Sequence, residues 1–293
     1  MNFTKLQGAG NDFVLVESNS DHRDWSQLAI AICNRHFGVG SDGLLVLLPS
    51  SIADLRMRIF NADGSEAEAC GNGLRCLARY ALYKGLANSR PKAEEISVET
   101  LSGVRKAKLH NSGSQMAAIQ VGMGEPRFGA GDIPVAIERD KSTAGAKPIL
   151  NYPVTVDGKE LLLNLVSIGN PHAVYFCQHE VSEFPLSRVG PKMERHMIYP
   201  NGVNFEVARV LNREQIEARV WEKGVGETLA CGSGACAIAV SAQLHGYTDQ
   251  KVDIILPGGI LGVEWDGRGE VFLSGPAEIV FSGEWPDENV KAS

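Results

Sequence analysis

The chain has 293 residues, 44% hydrophobic and 22% charged, with a net charge of -7. That length suits two domains with a substantial core, and the acid excess excludes a general nucleic-acid binder, which must neutralise phosphates. The longest unbroken apolar run, Ala235 to Val240, falls far short of the ~20 residues a membrane-spanning helix needs.

The predicted elements alternate short strands with sharp turns, as the 32 glycines suggest. Strands are expected at Phe3 to Leu6 and Asp12 to Glu17, joined by a Gly-Ala-Gly-Asn turn. A helix follows over Trp25 to Phe37, with Asp24 as its cap. Leu44 to Leu48 is an apolar strand, and Leu55 to Phe60 alternates at period two. Leu74 to Gly85 is predicted as a helix. From Ile96 to Val121 the alternation returns as hairpins turning at Leu101-Ser-Gly and Asn111-Ser-Gly. Residues 125–150 carry no strong period and are expected to be irregular, beside a lobe boundary. Strands then follow at Leu161 to Val166, Ala173 to Cys177, Val203 to Leu211 and Gln215 to Trp221, with a short helix over Pro185 to Met193. A helix over Gly232 to Leu244 precedes strands at Val252 to Leu256, Gly262 to Trp265, Val271 to Leu273 and Ala277 to Phe281.

The opening residues MNFTKLQGAGNDF lack the basic-then-apolar pattern of a signal peptide, so a reducing cytoplasm is the expected compartment. The six cysteines are then thiols, structural or catalytic. No C-x-x-C pair or nearby histidine completes a zinc set, so no metal is expected.

Two pairs of signals define an internal duplication. Gly10-Asn11 and Gly169-Asn170 each precede a strand and lie 159 residues apart; Cys70-Gly71-Asn72-Gly73 and Cys231-Gly232-Ser233-Gly234 each open a helix and lie 161 residues apart. Glu66 and Glu227 each stand four residues before a cysteine and fit favourable charges near a helix start. A cysteine at a helix N-terminus lies by free N–H groups and the positive end of the dipole, which favour a thiolate. The same N–H groups suit a carboxylate. Two such thiols on opposite faces of one α-carbon would remove and return a proton and so invert the centre, with no cofactor.

Five segments carry a family resemblance: GAGNDF (8–13), FNADGSEAEACGNGLRC (60–76), GNPHAV (169–174), NGVNFEV (201–207) and WEKGVGETLACGSGAC (221–236). In order and spacing they closely resemble diaminopimelate epimerase. The resemblance implies an α/β (α+β) fold of two similar lobes, each a mixed, mainly antiparallel sheet curled around a central helix, with the active site in the inter-lobe cleft. The lobes expected are 1–118, completed by a returning strand at 277–293, and 119–276. It also implies a cofactor-independent isomerase of lysine and peptidoglycan precursor biosynthesis that interconverts LL- and meso-diaminopimelate.

By the same resemblance Cys70 and Cys231 are the base/acid pair. Gly71-Asn72 and Gly232-Ser233 cradle the reacting carboxylate. Asn11, Asn61, Asn170, Asn204 and Glu222 hold the substrate, and His172 and Glu222 tune the cysteines. Read from turn contexts alone, Asn11, Asn61 and Asn170 also fit backbone roles. Two departures stand out: Gly43 replaces a frequent glutamine, and Lys223 replaces a frequent arginine with a point charge. Lys223 is expected at the substrate's distal carboxylate. The expected partner is a small amino acid; nucleic acid and membrane are not expected, and a homodimer is compatible with the chain. A racemase of another amino acid such as histidine, a thiol-redox protein and a non-catalytic amino-acid binder are the alternatives.

Overall fold

The structure, a computed structural model, describes residues 1–67, 70–86, 95–110, 118–129, 131–136 and 147–286. The chain divides into two compact units, Met1–Gly122 with Ser274–Ser293, and Met123–Leu273.

In the first unit, β1 (Asn2–Gly8) and β2 (Asn11–Glu17) form a hairpin. It turns at Ala9 and Gly10, both with positive φ (54° and 82°), which glycine adopts at little cost. Helix α1 (Trp25–Cys33) then returns the chain to β3 (Gly43–Leu48), parallel to β2. Asp24 caps α1 by accepting the Gln27 N–H at 3.0 Å. Trp25, Leu28, Ala29, Ile32 and Cys33 form its buried face, at the spacing of one helical stripe. The helix ends four residues earlier than the sequence predicts. Asn34 leaves the helical region, and its side chain accepts the N–H groups of His36 and Phe37 in a turn.

All six residues of β3 are buried because both faces are covered. Leu44, Val46 and Leu48 share a core with α1, and Leu45 packs toward Gly73. Gly73 opens the second helix, α2 (Gly71–Tyr83), which starts three residues earlier than predicted. The sheet continues through β4 (Leu55–Asn61), β5 (Glu66–Ala67), β6 (Glu95–Thr100), β7 (Gly103–His110) and β8 (Ala118–Gly122). Pairing is antiparallel except for β2–β3 and β4–β6. The predicted turn at Asn111 lies outside the described residues. On the other side of β1, the strand Glu278–Glu284 pairs antiparallel with it.

The second unit repeats this plan. A hairpin of β9 (Ile149–Val156) and β10 (Lys159–Ser167) turns at Asp157-Gly158, both at positive φ, the geometry of a two-residue hairpin loop. Strand β11 (Pro171–Phe176) pairs antiparallel with β10, and α3 (Leu186–Glu194) leads to β12 (Asn204–Asn212), parallel to β11. Close contact of α3 with the sheet requires Gly190, where an added Cβ would stand 2.4 Å from the Trp221 ring. Then come β13 (Gln215–Glu222), β14 (Gly226–Thr228), α4 (Gly232–Leu244), β15 (Lys251–Leu256) and β16 (Gly259–Glu264). The parallel pairs β11–β12 and β13–β15 reproduce β2–β3 and β4–β6. Each of α2 and α4 has thirteen residues, ten of them buried against its own sheet. Among the described residues, no helix is long and apolar enough to cross a membrane.

Candidate active site

Cys70 and Cys231 occupy the same place in their units. Each is the N-cap of its helix, extended in backbone, and each sulfur accepts the N–H three residues on, Gly73 or Gly234, at 3.4 Å. The strands before them match as well. Arg58 makes a bidentate pair with Glu66 (2.6 and 2.8 Å), and Arg219 makes one with Glu227 (2.8 and 3.0 Å). The glutamates four residues before each cysteine therefore anchor the approach to the helix from β5 and β14 and lie off the thiol.

In the first unit Cys70 is half-buried and its Sγ lies 3.9 Å from Asn11 Oδ1. Asn11 Oδ1 also accepts Asn72 Nδ2 at 3.1 Å, and the buried Arg75 donates to Asn72 Oδ1 at 2.8 Å. Asn11 Nδ2 donates in turn to Asp42 at 2.7 Å. Asp42 and Asp12 share the Arg35 guanidinium, at 2.7 Å each, and Lys5 reaches Asp12 at 2.5 Å. Burial alone would raise the Asp12 carboxyl, but hydrogen bonds from Arg35 and Lys5 outweigh it and hold it at about 2. Asn61, exposed at the end of β4, donates to Ser65 Oγ at 2.9 Å. Gly43 faces Asn61 across the β3–β4 pair, and an added Cβ there would stand 2.8 Å from Phe60 O.

In the second unit Cys231 is buried, and its Sγ lies 3.5 Å from Ser233 Oγ. Burial, and then the charge of Glu222, push its thiol well above the ordinary range, against the Ser233 and Gly234 hydrogen bonds. Glu222 accepts Thr228 Oγ1 at 2.6 Å. His172 is fully buried, with Nδ1 2.6 Å from Glu206 Oε1 and Nε2 2.9 Å from Asn170 Oδ1. Both ring nitrogens thus meet oxygen atoms, not a thiol. Asn204 is buried and stitches backbone together, donating to Pro171 O at 3.0 Å and accepting Lys223 N–H at 2.9 Å. Lys223 itself is exposed, its Nζ on Asn201 O at 3.0 Å.

Asn11 and Asn72 therefore meet at the Cys70 helix entrance, and Ser233 and the Glu222 charge meet Cys231, whereas Asn61 and Lys223 bond to loop neighbours. Glu206 is absent from the sequence expectations. It is buried, and its carboxyl is raised above the usual range by burial despite His172. Cys33, Cys76 and Cys236 sit in cores, and Cys177 is half-buried; burial lifts Cys33 to about 11 and Cys76 to about 12. All six cysteines are free thiols.

A duplicated unit with a cysteine-capped helix at the heart of each copy belongs to a known fold class. A PhzF-family phenazine biosynthesis protein of Bacillus anthracis is 16% identical and superposes with a TM-score of 0.69, over 98% of this chain and 99% of the other. A hydroxyproline epimerase of Agrobacterium vitis, also 16% identical, gives 0.67 over 97% and 90%. Sequence narrows the class. The diaminopimelate epimerase family matches residues 3–129 and 164–280. The diaminopimelate epimerase of Moorella thermoacetica is 45% identical over 98% of this chain and 99% of its own, and that of Caldanaerobacter subterraneus 44% over 97% and 99%. The chain belongs to the diaminopimelate epimerase family.

Proposed function

We propose that this protein interconverts LL- and meso-diaminopimelate by transferring a proton at one α-carbon between two cysteines, in the cytoplasmic synthesis of lysine and peptidoglycan precursors. The observation that carries the reading is the identical placement of Cys70 and Cys231, each capping a helix with its sulfur on the third N–H, within a chain of this family.

One thiolate takes the α-proton and the other thiol delivers a proton to the opposite face. The carbanion's charge spreads into its carboxylate, which the N–H groups at Gly71-Asn72 and Gly232-Ser233 stabilise as it builds. Burial, and then the Glu222 charge, favour the protonated form of the Cys231 thiol. The proton transfers need no group beyond the two thiols, and proton-transfer catalysis works best when acid and base are positioned in advance. Asn11 lies on Cys70, while Asn61, Asn170, Glu222 and Lys223 serve the far amino-acid end. Six free thiols suit a reducing compartment.

The experiment is a substrate panel in heavy water, read by proton NMR. LL- and meso-diaminopimelate should lose the α-proton signal, whereas proline, hydroxyproline and histidine should keep theirs. Exchange confined to one of the latter three would reassign the substrate, and no exchange with any of them would leave a redox or binding protein on this fold.

A further inference from the structure

The duplication supplies an internal control for the buried His172–Glu206 pair. On β11 and β12, His172 stands opposite Asn204 and Val174 opposite Glu206. On β2 and β3, Phe13 stands opposite Gly43 and Leu15 opposite Leu45. The equivalents of His172 and Glu206 are therefore Phe13 and Leu45. The helices confirm it: an added Cβ on Gly73 would first meet Leu45 Cδ2 at 3.1 Å, and one on Gly234 would first meet Glu206 Oε1 at 3.1 Å. All four side chains are buried, at 3% exposure or less. The same niche is thus filled by an apolar pair in one unit and an ionisable pair in the other. The fold does not need the ionisable pair, and replacing such a pair with packed apolar residues is often neutral or stabilising. Its presence calls for another reason.

The reason lies at the exposed end of the chain of contacts. His172 meets an oxygen on each side, Glu206 Oε1 at Nδ1 and Asn170 Oδ1 at Nε2. Asn170 is exposed. For both contacts to be hydrogen bonds the pair must hold two protons, one on Nε2 and one between Nδ1 and Oε1. Such a pair is neutral overall, which its burial demands. The groups around it enforce this. Glu222 on β13 and Cys231 at the head of α4 both interact with the Glu206 charge. So does Tyr199, whose buried hydroxyl has no hydrogen-bond partner among the described residues. Each of these would be acidic or neutral, so none compensates an extra negative charge.

We infer that Glu206 is a positioning residue that keeps the proton on His172 Nε2 and thereby holds the Asn170 amide with its oxygen inward and its NH2 group outward, as a hydrogen-bond donor for a carboxylate at the distal end of the substrate. The carboxylate's identity rests on the proposed function; the proton's position does not. Asn170 without this constraint presents either end of its amide, and a carbonyl facing a carboxylate repels it. The first unit, with Phe13 and Leu45, fixes no such donor, so the two halves of the duplication differ in the role their matched asparagines play.

Two measurements test it on the full chain. Long-range proton–nitrogen NMR of histidine-labelled enzyme at neutral pH, with the His172 signals identified by their loss in His172→Phe, should show Nε2 protonated. A bare Nε2 overturns the inference, whatever the substrate proves to be. In kinetics, Glu206→Leu should raise KM for diaminopimelate about 10-fold, the worth of one charge-assisted hydrogen bond, with kcat changed less than about threefold. Glu206→Gln, whose NH2 can donate to Nδ1 as the shared proton does, should restore KM to near the wild-type value. The double variant His172→Phe with Glu206→Leu copies the first unit's pair; it should fold and keep the raised KM. An unchanged KM in Glu206→Leu, or a loss confined to kcat, overturns the inference. Should wild type exchange no α-proton of any amino acid, the proposed function fails while the NMR result still decides the position of the proton.

Discussion

The backbone N–H of Lys223 donates to the buried side-chain oxygen of Asn204 at 2.9 Å. The side-chain NH2 of Asn204 donates in turn to the carbonyl of Pro171, the residue before His172. One buried side chain therefore fixes the start of β11 against the turn that follows Glu222. Both of these hydrogen bonds end on backbone, which makes Asn204 a structural pin for its neighbours at the site. Asn204→Ala should lower the unfolding free energy by about 1–2 kcal/mol, since the partly buried Pro171 carbonyl and Lys223 N–H lose this partner. Urea denaturation measures this, and a midpoint equal to wild type would show that water repairs both groups.

Lys223 carries the charge offered to the far end of the substrate. Lys223→Ala should lower kcat/KM for diaminopimelate about 10- to 150-fold, the loss of one charged hydrogen bond. Lys223→Arg, with its planar fork, should equal or exceed wild type. Equal values in all three proteins would remove Lys223 from the site.

The two cysteine classes should separate cleanly. Cys70→Ser and Cys231→Ser should lose nearly all α-deuterium exchange and still unfold cooperatively. Cys76→Ser and Cys236→Ser lie in the helix cores and should keep turnover with some loss of stability. Near-wild-type exchange by Cys70→Ser or Cys231→Ser would sink the two-thiol mechanism.

Asp12 gives the acid stability a defined window. Its carboxyl falls from 3.8 to about 2 on folding, so its contribution is complete above the unfolded value and fades as pH drops from about 3.8 to 2. Screened by solvent at the exposed Arg35, the shift corresponds to about 1 kcal/mol. Asp12→Asn should therefore be less stable than wild type at neutral pH, and the difference should shrink toward pH 2. Thermal melts across that range measure it, and a difference independent of pH would assign the effect to packing.

The sequence shows the helix Gly232–Leu244 with both ends correct, because Cys-Gly-Ser-Gly marks the start and an unbroken apolar run follows. It shows the duplication through two matched turn motifs. Strand β9 is hidden by Pro153 and by Asn151 at positive φ, although Asp157-Gly158 between two alternating runs is a hairpin signal. Glu206 is hidden for another reason. In Asn-Phe-Glu-Val-Ala a charged residue at alternate spacing looks solvent-facing, yet the strand is covered on both sides. Aligning the repeat at its 161-residue offset would have exposed it, by setting a glutamate where the first copy has Leu45.

The strand that closes the first unit follows every other described strand in the chain. β1 pairs with Glu278–Glu284, and the N-terminal amine donates to Trp285 O, 284 positions along the chain. During synthesis at ~5–20 residues per second, β1 waits between roughly 15 s and a minute for that partner. Throughout that time one edge of the first sheet is an open template for another strand, while the second unit, continuous in sequence, can complete itself. The nascent chain thus carries its exposed strand edge in its first half until that partner arrives.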